Sequence, residues 1–348
     1  MIICRARVFK AARMFSTLVG RSGREYMRQK LLQRHPTKPE LDIHLALCDG
    51  KPFVLKPVSQ SIFDLLQEFK DEFGNNPRLR IHVDDNKKEN VLVYEYFKSD
   101  LLSLVENYPA LPIGARRTIL KEVGLGLNDI HTKHWIHLDS AAVAYNSPLT
   151  YPSLDVKPNN VFLNWSVDEK DQFHLGKVAL GDMDCALKLE GQKLLNQRMG
   201  NVMWRSPEGQ LGKGVGKPSE VFSFALLCLY VITGAQCFHP DSEKLDIEPE
   251  PVILFKLLSA FGPLPDALVK HVNDEEAGAL LRGLWQAIAE DGSNEAFEQW
   301  SEEIFPNLDN EAKRLILRMT NLDPAKRALM LDIIMDPYWN YVKEFPRY

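Results

Sequence analysis

No two cysteines in this chain stand at metal-ligand or redox spacing. The five, at positions 4, 48, 185, 228 and 237, lie far apart with no C-x-x-C, which points away from a disulfide framework or a zinc site and towards a reducing compartment. No apolar run is long enough to cross a bilayer. The longest candidate, Phe222 to Ile232, is well short of the roughly 20 residues a spanning helix needs. Excess positive charge is absent too: a net charge of −5 gives no general attraction for nucleic acid or an anionic membrane. Internal repeats are lacking. What remains, 45% apolar and 26% charged residues over 348 positions, is the balance of a globular protein with a sizeable core. The length suits two medium domains or one large two-lobed one.

Acids are missing from the start of the chain, with none before Glu25, while Arg5, Arg7, Lys10, Arg13 and Arg21 supply bases. Ile3, Val8, Phe9, Met14 and Phe15 can share part of a helical face opposite those bases, as in a mitochondrial presequence. A disordered basic tail, or an extended gene-model start, fits residues 1–25 equally well.

From 26 to 97 the pattern is mostly that of strands. Leu41 to Leu47 alternates, Asp49-Gly50 signals a hairpin, and Pro52 to Lys56 continues as the next strand. Ser61 is placed to cap a helix through Phe73, with Ile62, Leu65, Leu66, Phe69 and Phe73 at helical spacing. Val91 to Phe97 reads as a buried strand. Helices then dominate, over 114–132, 219–233, 251–261, 276–290, 295–303, 309–320 and 328–335. A small sheet-rich lobe over 26–97 therefore precedes a large helical lobe over 98–342, with a hinge at 95–99. Residues 274–303 carry nine acids and one base, Arg282. That pattern fits a solvated helical face better than a docking surface for a basic partner.

Four separated pieces carry the chemistry. Lys56 ends an apolar strand, and Asp155-Val156-Lys157-Pro158-Asn159-Asn160 has the spacing D-x-K-x-x-N. Leu180-Gly181-Asp182 follows a strand at 175–180, and Trp204-Arg205-Ser206-Pro207-Glu208 comes later. Each piece alone is a common string. Phosphoryl transfer, however, needs a cation on the phosphates, carboxylate and amide oxygens for magnesium, and a carboxylate that orients the attacking hydroxyl. In this order and at these intervals, the pieces make the chain similar to the eukaryotic protein kinase family over about residues 26 to 342. In its divergence it is most similar to a fungal group of kinase-like proteins.

The resemblance implies an α+β, bilobal protein-kinase fold, with a small antiparallel β-sheet N-lobe carrying one helix and a large, mostly helical C-lobe. It implies ATP and Mg2+ as cofactors and a protein serine or threonine hydroxyl as acceptor. Asp155 would be the catalytic-loop aspartate and Lys157 the lysine that neutralises the transferring phosphate. Asn160 and Asp182 would hold the metal. Lys56 would contact phosphates, with Glu68, or Glu72 one turn later, as its helix partner. The segment Val93 to Tyr96, flanked by Phe97, resembles the hinge that reads adenine, with Glu95 and Phe97 beside the nucleotide. Val221 to Phe224 looks like the buried helix of the C-lobe. Leu322 to Arg327 resembles the late Asp-Pro-x-x-Arg, whose arginine pairs with Glu208. The resemblance also implies a monomer that works in the cytoplasm or nucleus, the basic start leaving mitochondria as the alternative.

The departures are specific. The three glycines of the phosphate-cradling loop fall on Pro36, Lys38 and Leu41, and side chains there block the approach of backbone N–H groups to phosphates. Gly20 and Gly23 lie too far upstream to substitute. Asp-Phe-Gly reads Asp182-Met183-Asp184, and methionine can fill the phenylalanine's slot. The buried-helix aspartate appears as Glu220, and Asn201 replaces a threonine. Leucine stands before either candidate catalytic aspartate where many kinases have arginine, which implies no need for a phosphorylated activation loop.

The catalytic loop itself is interrupted. Leu-Asp occurs at 138–139 and again at 154–155, and removing the sixteen residues from one copy to the other restores Trp-Ile-His-Leu-Asp-Val-Lys-Pro-Asn-Asn. The intruding stretch, about 139–154, is uncharged after Asp139 and has no catalytic spacing. It fits a genuine surface loop and a short retained intron in a gene model equally well. As a loop it would cost little closure entropy, each doubling of length adding roughly 0.6 kcal/mol. A fold without catalysis, a pseudokinase acting as a binding or scaffold module, is the competing reading.

Overall fold

The computed structural model describes residues 16–137, 157–191, 193–239, 248–292 and 296–340. The catalytic-loop aspartate expected at 155 and the insertion at 139–154 lie outside the described residues. The chain divides into two compact units. One runs to Gly74 and includes Ile81–Tyr96; the other comprises Asn75–Arg80 and everything from Phe97 on.

The first unit is a six-stranded antiparallel sheet: β1 (Thr17–Val19), β2 (Glu25–Gln33), β3 (Ile43–Cys48), β4 (Lys51–Pro57), β5 (Asp84–Asn86) and β6 (Val91–Glu95), in the spatial order β1-β2-β3-β4-β6-β5. Its helix, α1, is Gln60–Phe73. Tyr26, Ala46, Leu55, Val91 and Val93 form the apolar centre, with Phe53 edge-on to Tyr26 at 5.3 Å. Phe63, Leu66, Phe69 and Phe73 are the buried face of α1.

The cap of α1 is Ser59 rather than Ser61: the Ser59 hydroxyl oxygen accepts the Ile62 N–H at 3.4 Å while its own backbone is extended, the geometry an N-cap requires. Residues 16–25, assigned from sequence to a basic tail, instead form β1 and its turn into β2. The Asp84 carboxylate on the opposite edge strand explains this. It accepts the N–H and hydroxyl of Ser22 and the Tyr26 hydroxyl. Beside it Arg21 pairs with Asp85 at 2.8 Å, and the Asn86 amide donates to the Val19 carbonyl. The sheet's first and last strands are thus joined through side chains, a contact across 62 positions that no local pattern announces.

The second unit begins with β7 (Ser99–Asp100), α2 (Leu101–Asn107), α3 (Ile113–Thr132) and β8 (Trp135–Ile136). It continues through β9 (Val161–Val167), β10 (Phe173–Leu180), β11 (Leu187–Lys188), α4 (Pro207–Leu211) and α5 (Lys217–Thr233). It closes with α6 (Pro249–Phe261), α7 (Asp266–Val272), α8 (Glu275–Asp291), α9 (Asn310–Met319) and α10 (Met330–Ile334). Helix α5 is apolar on nearly every face, with Val221 to Ile232 all buried, as expected of a helix at the centre of a helical unit. The helix expected over 295–303 is only a 3-10 turn, Phe297–Gln299. Its aromatics pack as a cluster instead, with Trp300 stacked on Phe305 at 4.4 Å and Phe297 against Phe261 at 5.3 Å. Among the described residues no helix is long and apolar enough to cross a membrane.

Candidate active site

Three stretches of the second unit, far apart in sequence, meet around one glycine. Helix α3 and β8 deliver His137, the 3-10 turn Pro158–Asn160 delivers Asn160, and β10 ends at Leu180 just before Gly181 and Asp182. The Gly181 N–H donates to the Asn160 carbonyl at 2.8 Å, and His137 Nε2 donates to the Gly181 carbonyl at 2.8 Å. A carbonyl can only accept, so this bond places the imidazole hydrogen on Nε2. A Cβ at position 181 would stand 2.7 Å from the Phe162 ring, so only glycine fits. Leu180 is fixed by backbone bonds to Arg78 and Arg80.

Asp182 follows in the left-handed region, φ 62° and ψ 55°, an uncommon conformation for a residue with a side chain. The bonds on Gly181 and the turn Met183–Cys185 hold it there. Met183 is buried, in keeping with its filling an apolar slot. Asp184 lies inside that 3-10 turn and is not among the positive-φ residues, so exchanging glycine for aspartate there creates no backbone strain.

The loop is anchored from below by Glu220 on α5. Its carboxylate is fully buried; one oxygen accepts the His137 N–H at 2.6 Å and the other lies 2.5 Å from His131 Nε2. Lys217 completes this corner by donating to the His131 carbonyl at 2.6 Å. Burial lowers the Lys217 ammonium's pKa, with Glu220 acting against that shift. Gly181 stands out in the sequence only as the residue directly before Asp182, whereas no sequence signal marks His131 as part of the site.

Asn160 is buried, Lys157 is buried at the start of the same turn, and Asp182 is half-buried. The Asn160 amide oxygen and the Asp182 carboxylate are both hard donors. Among the described residues no group of three or more His, Cys, Asp or Glu could hold a metal ion.

In the first unit Lys56 is half-buried on β4, with Leu92 of β6 as its Cα partner. Glu68 is exposed and Glu72 half-buried on α1, while Glu95 is exposed at the end of β6. Phe97 is buried in the second unit.

The connection from β2 to β3, where the resemblance puts the glycine-rich loop, has no glycine. It is tied to itself. Asp42 accepts the His35 N–H at 2.8 Å, and His35 Nδ1 accepts the N–H of Thr37 and Lys38 at 3.3 and 3.0 Å. Leu41 and Asp42 donate to Lys38 and Pro39 carbonyls, and Pro36 and Pro39 have no N–H to give. Most of the loop's backbone donors are therefore spent internally.

Further on, Glu208 and Arg327 form a buried bidentate pair, with Ser219 donating to the same carboxylate at 2.7 Å. The pairing expected from the late Asp-Pro-x-x-Arg is present.

A helical unit whose motif residues converge on Gly181 and Asp182, joined to an antiparallel sheet unit, defines a kinase-like protein. The family model for the protein kinase domain matches residues 152–339, more than half of the chain, and the chain belongs to that family. It is 26% identical over 200 residues to cysteine-rich receptor-like protein kinase 6 of Oryza sativa, covering 54% of this chain and 26% of that protein. It is 29% identical over 137 residues to the Raf homolog serine/threonine-protein kinase of Caenorhabditis elegans, covering 38% and 14%. With mitogen-activated protein kinase 7 of Arabidopsis thaliana it shares 21% over 254 residues, 72% of this chain and 58% of that one. The chain thus spans less than two thirds of each of these relatives.

Proposed function

We propose that this protein kinase is an active serine/threonine enzyme that transfers the γ-phosphate of ATP to a protein hydroxyl. The observation that carries the reading is the junction at Gly181, whose N–H donates to the Asn160 carbonyl and whose carbonyl accepts from His137, so that Asp182 follows directly on the residue tied to the Asn160 turn. Asn160 and Asp182 would hold magnesium, which when bound supplies positive charge against the triphosphate oxygens. Lys56 and Lys157 would each place an ammonium on phosphate oxygens. Asp155 would orient the acceptor hydroxyl and take its proton. His137 and Glu220 do no chemistry in this scheme; they position Gly181 and, through it, the turn that carries Asn160. Glu95 and Phe97 would flank the adenine, and Glu68 or Glu72 would orient Lys56. Serine or threonine as acceptor rests on Lys157 at its position in the loop and on relatives named serine/threonine kinases. We further propose a monomer in the cytoplasm or nucleus; the basic start keeps mitochondria as the alternative.

A scaffold without turnover is favoured by one observation, the self-tied 34–42 loop, which has few amides left for phosphates. Transfer of labelled γ-phosphate to a mixed protein substrate tests the enzyme. Thermal shift with millimolar Mg·ATP separates the readings, since a ligand stabilises by RT ln(1 + [L]/Kd). A shift with transfer supports the kinase; no shift and no transfer support the scaffold.

A further inference from the structure

Between Met183 and Arg205 there is no serine, threonine or tyrosine. The first hydroxyl, Ser206, is buried and spent as the cap of α4, accepting the Gly209 N–H at 3.2 Å. No residue of this stretch can accept a phosphate on a hydroxyl, yet the stretch is ordered by contacts of its own.

Its first part is a strand. Leu187 and Lys188 pair with Ile136 and Trp135, and the Leu189 N–H donates to the His134 carbonyl at 2.8 Å. Its second part lies on the run Gly212-Lys213-Gly214-Val215-Gly216. Leu195 and Val215 exchange both backbone bonds at 2.9 Å, and Asn196 Oδ1 accepts the Gly214 N–H at 3.0 Å. A Cβ at position 212 would stand 2.6 Å from the Arg198 nitrogen, and Gly212 itself has φ +66°. The glycine is what lets the two backbones approach. Ile136, Met199 and Val215 are buried together beneath, with Leu187, Leu189 and Leu195 packed against them. Arg205 then closes the loop by donating to the Gly200 carbonyl at 2.7 Å.

We propose that Leu187–Gly191 and Lys193–Ser206 are held in their working shape by this apolar and glycine clamp, with Met199, Val215 and Gly212 as positioning residues, and that phosphate has no part in ordering them. That the segment faces a protein substrate rests on the kinase reading above; the clamp itself does not.

Hydrogen exchange of the full-length, phosphatase-treated chain tests this directly. The amides of Leu189, Leu195 and Val215 should be protected, and equally so before and after phosphatase. Met199→Ala, a core truncation, should speed exchange over 193–199 by about tenfold or more, with α5 unchanged. Gly212→Val should do the same from the other face. Open-chain exchange of those amides in the untreated or treated protein would overturn the proposal. So would protection lost on phosphatase treatment, variants without effect on 193–199, or equal loosening of α5. Phosphoryl transfer, assayed in parallel, should be insensitive to phosphatase. If no transfer is seen while protection and variant effects are as stated, the kinase reading fails and the clamp stands.

Discussion

Replacing Arg327 with methionine should destabilise the second unit by about 3–5 kcal/mol, the cost of breaking a buried ion pair from one side. Both side chains of the Arg327–Glu208 pair are 0% exposed, and the guanidinium meets the carboxylate at 2.5 and 2.8 Å. Burial pushes the Glu208 carboxyl up, but the Arg327 charge and the bonds from Arg327 and Ser219 more than reverse this, leaving it at about 2 against an ordinary 4.5. At about 1.4 kcal/mol per pH unit that difference is roughly 3 kcal/mol, the low end of the same range. Because the folded-state value is depressed, this stabilisation is complete above about pH 4.5 and is lost as pH falls towards about 2. Urea melting at neutral pH and near pH 3 would measure it in wild type, Arg327→Met, and the double variant Arg327→Met with Glu208→Leu. The single variant should be much weaker at neutral pH and lose less on acidification, having no ion pair left to titrate. The double variant should recover most of the loss. A single variant within about 1 kcal/mol of wild type, with an unchanged acid limb, would refute the reasoning.

Glu220→Ala leaves the buried His137 N–H without its acceptor, which should cost about 1–3 kcal/mol in thermal or urea melting. It should also lower phosphoryl transfer by more than that loss of fold explains, and Glu220→Asp should fall between. Gly181→Ala drives a methyl into the Phe162 ring and should cost about 1–3 kcal/mol as overpacking, with Mg·ATP binding by calorimetry reduced in the protein that still folds. Grafting glycine at Pro36, Lys38 and Leu41 together frees the loop's backbone donors and should raise Mg·ATP affinity, read as a larger thermal shift. An unchanged shift would show that the loop's closure does not limit binding.

Much of the helical unit was legible because its patterns are local. The stripe over 114–132 became α3, Ile113–Thr132, and the apolar run beginning near 219 became α5, Lys217–Thr233. The motif order also pointed to Asn160 and Asp182, whose backbones the structure links through Gly181. What stayed hidden depends on contacts between distant residues. Asp84 binding Ser22 turned a basic tail into β1, and aromatic packing around Trp300 replaced an expected helix with a turn. The Gly212–Gly216 run reads as a flexible loop until Leu195 is seen pairing with Val215. Ser59 and Ser61 are both reasonable caps by composition, and the chain's extended entry from β4 selects the first.

The most direct measurement is transfer of labelled γ-phosphate from ATP to protein by wild type and Asp182→Asn, side by side and with equal folding confirmed by melting. Wild type should show magnesium-dependent transfer, and the variant a loss of about a hundredfold or more, the scale on which displaced reacting groups fail. Equal transfer by both proteins, or none by wild type at saturating Mg·ATP, would contradict the kinase reading.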